Sequence, residues 1–91
     1  MTEISITKTQ RDLMRHALGL SRRTKTAYRN HFVTGEGSVD HAHWMDLVAK
    51  GAARRHTGSP ITGGSDVFYV TQIGVDAVMD FDEKLDVKVA K

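Results

Sequence analysis

Trp44-Met45-Asp46-Leu47-Val48-Ala49-Lys50-Gly51, followed by Ala52-Ala53-Arg54-Arg55-His56 and, after a turn, Val67-Phe68-Tyr69-Val70-Thr71, decide how this chain is built. Trp44, Leu47 and Val48 recur at helical spacing, which predicts an amphipathic helix whose apolar stripe is buried. Ser38 or Asp40 supplies its N-cap, and Gly51 stops it after Lys50. Residues 52–56 then read as a short basic strand. The run from Gly58 through Pro60, Gly63 and Gly64 to Asp66 is rich in residues that tolerate turn backbone angles. Residues 67–70 are β-branched and aromatic, the composition of a returning strand. Thr71 is an N-cap for a last helix, with Ile73, Ala77, Val78 and Phe81 expected on one apolar face.

Upstream, Thr7-Lys8-Thr9-Gln10 has the form of a capping box. The threonine oxygen accepts a backbone N–H at the helix start, and the glutamine side chain reaches back to the Thr7 N–H. Leu13, Met14, Ala17 and Leu18 follow on one helical face, Gly19 supplies a left-handed stop, and Leu20 folds back. Ile4 and Ile6 alternate with polar neighbours, which suits a short N-terminal strand or an extended arm. Residues 21–38, SRRTKTAYRNHFVTGEGS, carry few apolar side chains and read as an irregular loop pinned by Tyr28, Phe32 and Val33. The four-residue spacing of Tyr28 and Phe32 also permits a helical turn there, and His31 is placed to anchor the loop with a hydrogen bond. So long a loop in a small domain is often functional. At the other end, residues 83–91 are charged and are expected to fray.

Ninety-one residues make one domain, near the lower end of what buries its own core. The absence of cysteine excludes disulfides and thiolate metal sites. No apolar run approaches the roughly 20 residues of a membrane span. The start MTEISITKTQ lacks the basic head and apolar stretch of a signal peptide, so a cytoplasmic protein is expected. The net charge of +2 hides an asymmetry: residues 1–64 hold ten Lys/Arg against five Asp/Glu, whereas residues 65–91 hold three Lys against six Asp/Glu. A basic body with an acidic tail suits a polyanionic partner on one side; it equally suits a solvated acidic face on the tail.

The residues around Leu47–Gly51, Arg54-Arg55 and Phe68-Tyr69-Val70-Thr71-Gln72-Ile73-Gly74 resemble the C-terminal part of winged-helix regulators of the MarR type. The resemblance covers about 35 residues, from Trp44 to Val78. It implies an α+β winged-helix-like fold with three main helices and a two-stranded hairpin wing. The whole chain is also similar to small proteins encoded by bacteriophages and prophages, with Tyr28-Arg29-Asn30-His31-Phe32, a Gly-x-Gly turn and the same ending. That likeness implies origin and fold and brings no activity. The chain departs from the regulators where residues 21–38 stand in the position of their middle helix.

Two basic sets are the candidate DNA-binding residues: Arg22, Arg23, Lys25 and Arg29 in the loop, and Arg54 and Arg55 beside the wing. Contacts from such residues to phosphates are salt-dependent and position a protein without reading bases. The helix in the recognition position offers Asp40, His41, His43, Asp46 and Lys50, a poor set for base readout, and its carboxylates are repelled by DNA. Five histidines (His16, His31, His41, His43, His56) do not make a metal site by spacing, since His41 and His43 diverge by about 200° on a helix. No nucleophile elbow or phosphate loop is present, and Trp44, Tyr69 and Phe81 sit at core spacing. The expectation is a non-enzymatic accessory protein without metal or cofactor, holding duplex DNA by its backbone and able to dimerise across half-sites. The alternative is a protein-interaction module for a host or phage protein, docking through residues 21–38 and the mixed-charge helix.

Overall fold

A computed structural model describes residues 5–35, 37–56 and 65–89. Local signals set its helices. α1 (Lys8–Leu18) begins at the Thr7 capping box: Gln10 N–H donates to Thr7 Oγ1, and Thr7 N–H donates to Gln10 Oε1. It ends at Gly19, whose φ of 81° is left-handed and whose missing side chain makes room for the Tyr28 ring. α2 (Val39–Ala49) starts at Ser38 and stops at Lys50 and Gly51, the latter at φ 80°. α3 (Gln72–Val78) is capped by Thr71, whose hydroxyl accepts from Gly74 N–H and donates to Gly51 O. That pair of bonds ties the start of α3 to the end of α2. A Cβ on Gly74 would collide with Ala52 O, so the residue is glycine because two backbones meet there.

The strands are β1 (Thr26–Ala27), β2 (Phe32–Thr34), β3 (Ala53–His56), β4 (Asp66–Val70) and β5 (Lys84–Leu85). β2, β4 and β3 form an antiparallel sheet in that order, with Phe32 opposite Phe68 and Arg54 opposite Tyr69. β1 and β5 form a separate parallel pair. The helices and the sheet enclose one core of Met14, Leu18, Trp44, Leu47, Phe68, Val70 and Val78. At its centre the Trp44 and Phe68 rings stack with centroids 5.5 Å apart, and Phe32 leans on Trp44 at 5.4 Å. No helix among the described residues is long and apolar enough to cross a membrane.

The α+β class and three helices agree with expectation; several details do not. Residues 21–38 hold β1 and β2 rather than an irregular loop or a helical turn, and β2 makes the sheet three-stranded where a two-stranded wing was expected. Asn30 extends that pairing by a side chain: its amide donates to Val70 O and accepts from Val70 N–H. Phe32 pins the segment as expected, but Tyr28 and Val33 are exposed; His31 anchors through its backbone N–H to Ala17 O. The start of the tail is ordered too. Glu83 is buried and meets Arg15 through two 2.6 Å bonds, while Lys84 N–H and Asp86 N–H donate to Lys25 O and Ala27 O. α3 buries Gly74, Val75 and Val78; Ile73, Ala77 and Phe81 face solvent, because the helix ends at Val78 before a further turn can bring Phe81 inward. Ser5 and Ile6 are not in a strand, whereas Ile4 and the wing tip, residues 57–64, lie outside the described residues.

Candidate nucleic-acid interface

The six candidate cations divide by what holds them. Arg22 and Arg23 sit in the turn after α1, where Ser21 Oγ accepts from Arg23 N–H and Thr24 N–H at 3.3 and 3.1 Å. A third bond, Ser21 N–H to Thr24 O at 3.0 Å, closes the turn. Both guanidinium groups are exposed, and neither forms an ion pair among the described residues. The chain thus presents two adjacent positive charges on a hydrogen-bonded support.

Lys25 and Arg29 have structural partners. Lys25 Nζ lies 3.8 Å from Asp82, with both side chains half exposed. Arg29 donates to His16 O at 2.8 Å, and its guanidinium lies 5.7 Å from the Tyr28 ring centroid. It therefore serves one of the carbonyls that α1 leaves open at its C-terminal end, where positive charge is favoured.

Arg54 and Arg55 are separated by strand alternation. Arg55 turns inward, its Nε 2.8 Å from Asp66 Oδ2. The same oxygen lies 2.8 Å from His41 Nε2. Asp66 is buried, so its carboxylate needs these partners. Arg54 lies opposite Tyr69 on the outer face, exposed.

α2 does not present a base-reading face. His41 is buried against Asp66 and edge-on to Phe68. Asp46 accepts from Lys50 at 2.8 Å and from Gln10 Nε2 at 2.7 Å. Hydrogen bonds from Lys50 and then Gln10 hold its carboxyl below the usual range. Lys50 also donates to Ser5 O at 2.5 Å. The fully exposed positions of the helix are Val39, Ala42, Asp46 and Ala49, without a cation among them.

Sequence reasoning missed the His41–Asp66–Arg55 cluster, although a signal existed. Strand alternation puts Asp66 on the same face as Phe68 and Val70, and a carboxylate there demands a buried partner. Nothing in the sequence pointed to Arg15–Glu83 or to Asn30, whose partners lie far along the chain. Among the described residues, no three His, Asp or Glu side chains gather into a metal-holding group. No protein-family model, curated protein or solved structure matches the chain.

Proposed function

We propose that this chain is a non-enzymatic accessory protein on a winged-helix-like scaffold, of the phage or prophage kind, that holds duplex DNA by its phosphates without reading sequence. The observation that carries the reading is the Arg22–Arg23 pair, fixed on a Ser21-fastened turn with both charges exposed. The scaffold reading is supported by the order of elements: the β3–β4 hairpin follows α2 directly, and β2, which precedes α2, pairs with the far strand of that hairpin. The exposed side of α2, apolar apart from Asp46, favours backbone contact over base readout.

Duplex affinity then falls steeply with salt, by a slope of about 0.9 per neutralised phosphate. Arg22→Ala/Arg23→Ala lowers that slope by about 2 and weakens binding to all sequences alike. Failure of the wild type to bind any duplex below about 50 mM salt would falsify the reading.

A second reading, a protein-interaction module, has its own support. Val39 is 75 % exposed on α2, and an open groove between α2, β3 and α3 is lined by Val48, Ala53, Thr71 and Ile73 together with Arg54 and Arg55. Under it, Ile73→Glu abolishes capture of a protein partner and leaves duplex affinity unchanged. Under the DNA reading, that variant behaves as wild type in both assays.

A further inference from the structure

The segment that covers the C-terminal end of α1 is held from both sides, yet it turns an aromatic ring outward. Ala27 is buried in β1 and accepts from Asp86 N–H. Arg29 N–H donates to Leu18 O at 3.5 Å, and its guanidinium donates to His16 O at 2.8 Å. His31 N–H donates to Ala17 O at 3.2 Å, and Asn30 is bonded twice to Val70. Tyr28 stands among these anchors. The Cδ1–Cε1 edge of its ring rests on Gly19, where a Cβ would collide with it, and the Arg29 guanidinium lies 5.7 Å from the ring centroid. Tyr28 is nevertheless 58 % exposed, and Phe32 rather than Tyr28 packs against the core.

Contact with Gly19 puts the ring next to the Arg22–Arg23 turn. Arg22 follows Gly19 by three residues, so their Cα atoms lie within about 11 Å of each other. That is roughly three nucleotides of one strand, at about 3.4 Å each. The turn itself is closed by the Ser21–Thr24 bonds, so ring and charges share one hydrogen-bonded corner. The other side of the corner is acidic. Lys25 lies 3.8 Å from Asp82, and the Asp86 N–H bond to Ala27 O brings an exposed aspartate alongside β1. A phosphate chain is drawn toward Arg22 and Arg23 and repelled on the β5 side, so the group suited to Tyr28 is uncharged.

We propose that Tyr28 stacks on an exposed base while Arg22 and Arg23 hold the adjoining phosphates, so that the protein prefers duplex ends and single-strand–duplex junctions to uninterrupted duplex. The inference rests on the duplex reading above and narrows its substrate. Inside a duplex every base face is covered by its neighbours. A terminal pair, or an unpaired base beside it, presents a free π-face, and an aromatic side chain takes such a face whatever the base. Because the backbone around Tyr28 is already fixed, stacking orders little that was free before.

The test titrates two DNAs by filter binding at low salt and matched nucleotide concentration. One is a relaxed circular duplex, which has no ends; the other is the same DNA cut into short duplexes that carry overhangs of unpaired thymidines. The wild type binds the cut DNA about tenfold or more tighter than the circle. Tyr28→Ala loses that preference and binds both DNAs as the wild type binds the circle. Tyr28→Phe keeps the ring and stays within about twofold of the wild type. Should Tyr28→Ala melt below the wild type, Tyr28→Leu covers Gly19 without an aromatic face and also loses the preference. Equal affinity of the wild type for the two DNAs overturns the inference and leaves the duplex reading standing. A preference that both Tyr28→Ala and Tyr28→Leu retain has the same consequence. Binding to neither DNA overturns the inference and the duplex reading together.

Discussion

The inner and outer faces of the sheet are drawn from alternate residues of the same strands and use the same residue types in opposite ways. Inside, Phe32 and Phe68 pack with Trp44, and the charged side chains are consumed in the Arg55–Asp66–His41 cluster. Outside, Tyr69 and Arg54 stand at the corresponding cross-strand pair and face solvent. Arg54 and Arg55 are neighbours in sequence, yet Arg54 lies on the outer face and Arg55 neutralises a buried carboxylate. A count of basic residues therefore overstates the exposed positive charge. Lys25, Arg29 and Arg55 each have intramolecular partners, whereas Arg22 and Arg23 are exposed and form no ion pair among the described residues.

Substitutions inside the molecule should move stability, and substitutions outside should move affinity. The largest effect is expected at Trp44, fully buried between Phe32 and Phe68: Trp44→Ala lowers unfolding free energy by about 3–5 kcal/mol. Urea denaturation checks this, and a loss under about 1 kcal/mol would mean that the aromatic stack is not the core's centre. Glu83→Ala, which leaves Arg15 without its bidentate partner, costs about 3–5 kcal/mol in the same assay.

The Arg15–Glu83 pair also sets a pH dependence. The bond to Arg15 is the main cause that holds the Glu83 carboxyl below its ordinary value. Its stabilisation is complete above the unfolded-state value, near 4.3, and is lost as pH falls through the lower folded-state value. Acid denaturation curves of the wild type and Glu83→Gln should be fully separated above about pH 5 and converge as pH falls below it. A constant separation over that range would remove Glu83 from the acid transition.

Smaller effects are expected on the sheet. Arg55→Ala removes one of the partners of the buried Asp66 and costs about 1–3 kcal/mol. By contrast Arg22→Ala/Arg23→Ala, on the exposed turn after α1, changes stability by no more than about 0.5 kcal/mol. Equal losses for the two variants would erase the distinction between engaged and exposed cations.

The helices and their ends were legible in the sequence because their causes are local. The Thr7–Gln10 box, the Gly19 stop, the Ser38 and Thr71 caps and the Trp44–Leu47 stripe each act within a few residues. β2 and β5 were not legible. Each is two or three residues long, and each is specified by a partner strand more than 30 residues away along the chain. The cations followed the same division. Their positions could be read, but which were already engaged depended on Asp66, Asp82 and the His16 carbonyl, whose proximity only the fold determines. Phe81 misled for a related reason: helical spacing extended past Val78, where the helix stops.

The contrast between exposed and engaged cations is tested most directly by comparing Arg22→Ala/Arg23→Ala and Arg55→Ala with the wild type, each measured for duplex affinity and melting temperature. The account predicts that Arg22→Ala/Arg23→Ala weakens binding and melts with the wild type, while Arg55→Ala melts lower and, below its transition, binds as the wild type does. Equal binding losses from the two variants, or unchanged binding with Arg22→Ala/Arg23→Ala, would contradict it.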